Sequence, residues 1–163
     1  MSVKEWRKAK EKKAAKLTPK ARVQEPYKDR KRYTILIGID PGTNTGFCVC
    51  KGGAIKQIGT LKIHEVMNEV RQAAEFVSVL VRFEDARLRT WYGSDTHGEK
   101  KKGAGSVERD CSIWQDFLDD LAVDYDRVHP RDVKATTAEQ FQKITGYSGR
   151  TSIHAREAAW MVI

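Results

Sequence analysis

Apolar and polar residues along this chain recur with two periods, one typical of strands and one typical of helices. Short apolar, β-branched runs bounded by Gly or Pro predict strands, whereas apolar residues spaced three or four apart predict amphipathic helices. In chain order the pattern predicts strands at 33–40, 46–51 and 54–61, a helix at 63–76, a strand at 77–84, a helix at 106–121, a strand at 125–129, a helix that begins at a Thr136–Glu139 capping box and runs to 145, and a last helix at 153–163. The first three strands are expected to form an antiparallel meander, since Gly52-Gly53 joins the second to the third.

Two of the predicted strands end on a carboxylate. The first apolar run ends at Asp40 and turns through Pro41-Gly42, and the fourth ends at Glu84. A carboxylate at the end of a buried strand is costly unless it has a partner. The Gly, Thr and Asn residues that follow Asp40 offer backbone N–H groups and hydroxyls, which favours a bound cation or phosphate. An Asp that merely caps a tight hairpin turn is the alternative.

The last predicted helix carries His154 and Glu157, which lie three residues apart and hence on one helical face. A surface His–Glu pair is the ordinary interpretation of this spacing. Alternating strands and helices, however, bring the carboxyl ends of strands into one crevice, so we expect the pair to lie beside Asp40 and Glu84. Three carboxylates and an imidazole suit Mg²⁺ or Mn²⁺. Two such ions can activate water and stabilise the leaving oxygen in phosphodiester cleavage.

The segment from Arg87 to Gly105 is polar and rich in glycine, and it is predicted to be a long functional loop. It combines cations with two aromatic residues, a mixture suited to phosphate contact and base stacking. Local packing of exposed aromatic rings is the alternative. The nucleic-acid-binding candidates here and farther along the chain are Arg87, Arg89, Trp91, Tyr92, Lys100, Lys101, Lys102, Lys134 and Arg150.

Length and composition narrow the class of protein. A chain of 163 residues with 40% hydrophobic content is expected to form one globular domain. The sequence has no apolar run near the roughly 18 residues of a membrane span and no apolar segment typical of a signal peptide. Its three cysteines, Cys48, Cys50 and Cys111, lack the spacing of a zinc site, and we expect them to be core residues in a reducing compartment. These features predict a cytoplasmic protein without a membrane partner.

The net charge of +8 is concentrated in residues 1–32, which hold 13 Lys and Arg against 4 Asp and Glu. The remainder holds 17 against 18. We therefore expect a basic N-terminal arm at 1–32, either flexible or weakly helical, followed by a folded domain at 33–163. Such an arm is suited to bind nucleic acid through counterion release. A solubilising or targeting tail is the alternative.

Three motifs together resemble one family of nucleases. I-G-I-D-P-G-T-N-T-G-F at 37–47, F-E-D at 83–85 and H-A-R-E-A-A at 154–159 resemble the RuvC-type Holliday-junction resolvases of the RNase H-like superfamily, including a phage-encoded branch. The resemblance covers 33–163. It implies an α/β, RNase H-like fold with a five-stranded mixed sheet flanked by helices. It also implies a homodimer in a bacterial or phage-infected cell that nicks four-way DNA junctions with Mg²⁺ or Mn²⁺.

Position by position, the resemblance makes Asp40 and Glu84 the metal ligands of the first and fourth strands, with His154 and Glu157 the pair on the final helix. Two residues depart from the family pattern. Glu157 stands where the family usually has Asp, and Arg87 stands where some relatives carry an apolar wedge. The candidates left for a wedge are Leu88, Trp91 and Tyr92. The amphipathic helix at 106–121 is the expected dimer contact.

Three other functions fit parts of the pattern. The G-I-D-P-G-T segment is similar to a phosphate loop of the actin–hexokinase–heat-shock ATPase group, although those proteins need two such domains. A YqgF-like nuclease acting on ribosomal RNA precursors would share the acidic residues. A junction-binding protein with weakened catalysis would account for Glu157 and Arg87.

Overall fold

The apolar runs form the strands of one sheet. The structure is a computed structural model that describes residues 32–89 and 98–163, and for residues 98–104 it describes the backbone alone. The strands are β1 (Ile35–Asp40), β2 (Asn44–Lys51), β3 (Ala54–Lys62), β4 (Val79–Glu84) and β5 (Asp124–Val128). They lie in the order β3-β2-β1-β4-β5, with β1 to β3 antiparallel and β1, β4 and β5 parallel. The predicted five-stranded mixed sheet is confirmed.

Helices cover both faces of this sheet. They are α1 (Ile63–Phe76), α2 (Gly98–Leu121), α3 (Ala138–Thr145) and α4 (Ile153–Trp160). One core packs α1 and α2 against the sheet and includes the buried Trp114, while the other packs α3 and α4 and includes Phe141. The predicted core cysteines are all buried. In the part of the chain that the structure describes, no helix has both the length and the apolar character needed to cross a membrane.

The predicted long loop at 87–105 is wrong in its second half, because α2 begins at Gly98. The glycines of this segment argue against a helix, but Glu99 and Lys100 to Lys102 are strong helix formers and extend α2 toward its amino end. The first half begins with a 3₁₀ turn at Ala86–Leu88. Residues 90–97 and the basic arm up to residue 31 lie outside the described residues.

The predicted capping box of α3 is displaced by one residue. Thr137, rather than Thr136, accepts a hydrogen bond from the Gln140 N–H at 3.2 Å, and the Gln140 side chain accepts one from the Thr137 N–H at 3.0 Å. The helix ends, as predicted, at Gly146, whose φ of 71° is left-handed. The last helix is shorter than predicted, because regular α-helix ends at Trp160.

Helix α4 lies very close to β1 and β2 because two glycines face it. A Cβ atom on Gly38 would collide with the carbonyl oxygen of Ala158, and one on Gly46 would collide with that of His154. Ala155 on the helix is small and fully buried. This close contact fixes the height of α4 above the sheet, and therefore the position of the side chains that it carries toward the end of β1.

We expect Gly38→Ala and Gly46→Ala each to destabilise the fold by about 1–3 kcal/mol, the usual cost of overpacking, and to displace α4. Urea denaturation measures the free energy of unfolding. Gly59→Ala is the matched control, because its Cβ would lie 3.4 Å from the nearest atom of the Phe47 ring, close to ordinary contact. Equal losses of stability in all three variants would contradict the assigned role of the two glycines.

Candidate metal centre

The carboxyl end of β1 meets the amino end of α4 in a compact group of three side chains. Asp40 ends β1, and His154 and Glu157 lie on the first turns of α4. His154 Nδ1 lies 2.6 Å from Asp40 Oδ2 and 3.8 Å from Glu157 Oε2. One ligand atom from each residue lies within 4.8 Å of the others. Of the three carboxylates and one imidazole predicted to converge, those of Asp40, Glu157 and His154 therefore form one group.

Glu84 ends β4, next to Asp40 on the neighbouring strand. The two strands are parallel and pair Ile39 with Phe83, so each carboxylate is the following residue on its strand. Glu84 lies outside the three-residue group described above, and Arg89 Nη2 lies 3.5 Å from its Oε1. Glu84 still interacts electrostatically with Asp40 and with Glu157. It lies beside the three-residue group, at the end of the strand next to that of Asp40.

Burial and mutual repulsion alter the acidity of this centre. The pKa of Asp40 is raised to about 7 by burial, by the Glu84 charge and by the Glu157 charge, against the opposing effect of His154. The pKa of Glu84 is also raised, first by burial and then by Glu157, although Arg89 and His154 oppose the rise. Crowded carboxylates of this kind gain a favourable partner when a cation lies between them.

This geometry differs from the two alternatives, an Asp40 that merely caps a tight turn and a His154–Glu157 pair on the surface. The turn after β1 is stabilised by Thr45, whose buried hydroxyl donates to the Gly42 carbonyl oxygen at 2.6 Å, whereas Asp40 faces His154. His154 and Glu157 are joined by a third group from another element, so they are more than a surface pair. The carboxylate oxygens of Asp40 and Glu157 and the imidazole of His154 are close enough together to hold a metal ion.

Hydrogen bonds from side chains hold α4 in this position. The Ser152 hydroxyl caps the helix by accepting from the Ala155 N–H at 3.0 Å, and it lies 2.6 Å from the Thr60 hydroxyl of β3. Arg156 is buried, and in the sequence it lies between the predicted ligands His154 and Glu157. Its guanidinium donates to the backbone oxygens of Thr136, at 2.8 Å, and Thr151, at 3.0 Å. These bonds tie the loops on either side of α3 to α4.

A buried ion pair holds the segment that follows Glu84. Asp85 is fully buried, and Arg87 Nε and Nη2 each donate to its carboxylate at 2.8 Å. Arg87 also donates to Ser112 and Gln115 of α2, at 3.1 and 2.6 Å, while Arg127 Nη1 lies 3.5 Å from Asp85. Burial alone would raise the pKa of Asp85, but its bonds to Arg87 outweigh burial and lower it. This network fastens the end of β4 to α2.

The predicted nucleic-acid contacts lie in different environments. Arg87 is engaged with Asp85, Arg89 with Glu84, and Lys134 Nζ lies 5.2 Å above the Trp160 ring. Arg150 is exposed in the loop before α4. Trp91 and Tyr92 lie outside the described residues, and Lys100, Lys101 and Lys102 lie on α2, where only the backbone is described.

Sequence reasoning missed two buried charges that support the centre, namely Asp85 and Arg156. Charged residues are mostly exposed, so nothing in the local pattern singles out a buried one. The one available signal was position, because Asp85 adjoins Glu84 and Arg156 lies between His154 and Glu157.

No protein-family model matches the chain, and no curated protein sequence gives a significant match to it.

The raised pKa of Asp40 predicts a pH dependence of cation binding. Asp40 must lose its proton to bind a cation, and its pKa of about 7 leaves it mostly protonated at pH 6 and mostly ionised at pH 8. We expect Mn²⁺ affinity to fall about tenfold from pH 8 to pH 6, with about one proton released on binding at pH 6. Calorimetry in buffers of different ionisation enthalpy measures both quantities. Affinity that stays constant over this range, or rises toward pH 6, would contradict the assignment of Asp40 as a ligand.

Proposed function

We propose that this protein is a divalent-metal-dependent DNA endonuclease that resolves four-way or other branched DNA junctions by paired nicks. The observation that carries the proposal is the meeting of Asp40, His154 and Glu157 within 4.8 Å at the carboxyl end of β1, with Glu84 on the adjacent strand. We further infer that the sheet is RNase H-like. Its three antiparallel strands followed by two parallel ones support this inference.

Asp40, Glu84, His154 and Glu157 are the residues that would hold the metal, with two ions per centre. Bound there, a divalent cation supplies Lewis-acid stabilisation of the charge that develops on phosphate oxygens. The contact between Asp40 Oδ2 and His154 Nδ1 orients the imidazole and leaves Nε2 as the nitrogen that can bind an ion or accept a proton from water. The His154 side chain is 59% exposed.

We also propose two partners for this protein, namely branched DNA and a second copy of the chain. The excess charge of residues 1–32 supports binding to a nucleic-acid backbone. Paired nicks on opposing strands require two active sites, hence a homodimer. On α2, Trp114 is buried in the protein's own core, so the exposed Ile113 is a better probe of a dimer contact than Trp114. The location proposed for this activity is the cytoplasm of a bacterial or phage-infected cell.

Substrate class is tested by a direct competition. Equal amounts of a labelled four-way DNA junction, a linear DNA duplex of the same sequence and a structured RNA are incubated together with the protein and Mn²⁺. We expect the junction to be cleaved first and the duplex to remain intact. Preferential cleavage of the RNA would replace the proposal with a nuclease that processes RNA. Junction binding without cleavage in either Mg²⁺ or Mn²⁺ would replace it with a junction-binding protein.

A further inference from the structure

A lysine and an asparagine form a polar pair beside the candidate metal centre, and the proposed chemistry does not use them. Lys62 ends β3 and Asn44 begins β2, and the two residues face each other across the antiparallel ladder. Lys62 Nζ donates to Asn44 Oδ1 at 2.6 Å. Both residues are exposed. The bond places the ammonium over the start of β2, next to the turn that follows Asp40.

The sheet places this pair on one side of the acidic centre and Arg89 on the other. Strand β3 lies two strands from β1, which corresponds to about 10 Å. Asp40 pairs with Gly46 of β2, and Gly46 pairs with Thr60 of β3, so Asp40 and Thr60 lie at the same height in the sheet. Lys62 lies two residues farther along β3, beyond the end of β1. Arg89, which is 49% exposed and paired with Glu84, follows β4 on the opposite side. Cations therefore flank the acidic centre on both sides.

The position of Lys62 is unfavourable for the helix that follows it. Lys62 is the N-cap residue of α1, where Ser, Thr, Asp and Asn are preferred, and its positive charge lies at the positive end of the helix dipole. Glu65 supplies the cap from within the helix, because its carboxylate accepts from the Lys62 N–H at 2.8 Å. A residue that opposes local stability at the rim of a candidate site suggests a functional role.

We propose that Lys62, oriented by Asn44, binds a backbone phosphate of the DNA strand on the side of the metal centre opposite Arg89. The strand to be cut then runs across the carboxyl ends of the sheet, from β3 toward β4, with the scissile phosphate at Asp40. This inference rests on the proposed nuclease function and gives the bound strand a direction across the site.

The first test separates charge from stability. Lys62→Thr removes the ammonium and supplies a favoured N-cap. We expect the slope of log affinity against log salt for a four-way junction, measured in EDTA, to decrease in magnitude by about 0.9, which is about an eightfold loss of affinity at 0.1 M salt. The thermal midpoint should rise or stay unchanged. Lys62→Arg should retain the slope, since it keeps the charge.

Lys51→Thr and Lys56→Thr are matched controls. Lys51 ends β2 and Lys56 lies near the start of β3, so both exposed lysines lie toward the other end of the sheet. We expect both variants to keep the wild-type slope. A slope change as large as that of Lys62→Thr in either control, or an unchanged slope in Lys62→Thr, would overturn the inference while leaving junction cleavage by the wild-type protein intact. A wild-type protein that binds no nucleic acid would overturn the proposed function itself.

The second test locates the contact on the strand. Single phosphates near the nick are replaced one at a time by uncharged methylphosphonates. The phosphate that Lys62 contacts is the one whose replacement weakens binding of the wild-type protein but not of Lys62→Thr. The same comparison with Arg89→Gln identifies the Arg89 contact. We expect the two phosphates to lie on opposite sides of the nick, and positions on the same side would overturn the inference.

Discussion

Asp40→Asn and Glu84→Gln are expected to reduce junction cleavage by at least about 1,000-fold while leaving junction affinity in EDTA within about twofold of wild type. Each change replaces a carboxylate with an amide of the same shape, so the fold is retained and a metal ligand is lost. Loss of about 4 kcal/mol of transition-state stabilisation corresponds to this factor. The measurement is the single-turnover cleavage rate of a labelled four-way junction.

The controls for these two variants are exposed carboxylates on helices, outside the group of Asp40, Glu84, His154 and Glu157. Asp116 on α2 and Glu75 near the end of α1 are both exposed, so Asp116→Asn and Glu75→Gln change the net charge by the same amount. We expect both controls to cleave at the wild-type rate. Cleavage retained in Asp40→Asn would remove Asp40 from the catalytic centre, and cleavage retained in Glu84→Gln would restrict the centre to the three residues that lie within 4.8 Å.

Deletion of residues 1–31 is expected to produce the largest loss of binding. The deleted segment carries 12 Lys and Arg against 4 Asp and Glu. If half of these cations contact phosphates, the salt slope decreases in magnitude by about 5, and affinity falls at least about 100-fold near 0.1 M salt. The measurement is junction affinity over a range of salt concentrations. An unchanged slope would place the arm outside the nucleic-acid interface.

We expect the truncated protein to fold, because contacts of Arg32 and Tyr33 hold the start of the described domain. The Ser78 hydroxyl donates to the Arg32 carbonyl oxygen at 3.5 Å, and the Tyr33 hydroxyl donates to Asp124 at 2.7 Å. These contacts lie at the end of the parallel strands opposite Asp40, so Mn²⁺ affinity should not change. An arm of scrambled sequence and equal composition should restore binding, since the expected contact is electrostatic. An arm with Gln in place of Lys and Arg should not.

The acidic ends of β1 and β4 could be predicted from the sequence because each follows an apolar run long enough to identify a buried strand. Their proximity follows from parallel pairing, which places equivalent strand ends together. The contact between Asp40 and His154 joins residues 114 positions apart. Periodicity could place His154 on the correct face of a helix but could not give its distance from Asp40. That distance depends on Gly38 and Gly46, which let the helix approach the sheet.

The surroundings of the charged side chains could not be predicted from the sequence. Arg87 was predicted to contact nucleic acid because it lies in a basic segment, and only the folded chain places it against Asp85 with two hydrogen bonds of 2.8 Å. The predicted start of α2 is eight residues too late, because the glycines at 98, 103 and 105 favour a loop. Lys62 could not be predicted as a site residue, since a single lysine at the end of a strand carries no local signal.

Strand-by-strand mapping of the nicks tests the central claim most directly. Four versions of one four-way junction, each labelled on a different strand, are incubated with the protein in Mg²⁺, in Mn²⁺ and in EDTA. We expect nicks at symmetric positions on two opposing strands near the branch point, present with either metal and absent in EDTA. Cleavage that persists in EDTA would contradict the assignment of Asp40, Glu84, His154 and Glu157 as a metal centre. Intact strands under both metals would contradict the proposed nuclease activity.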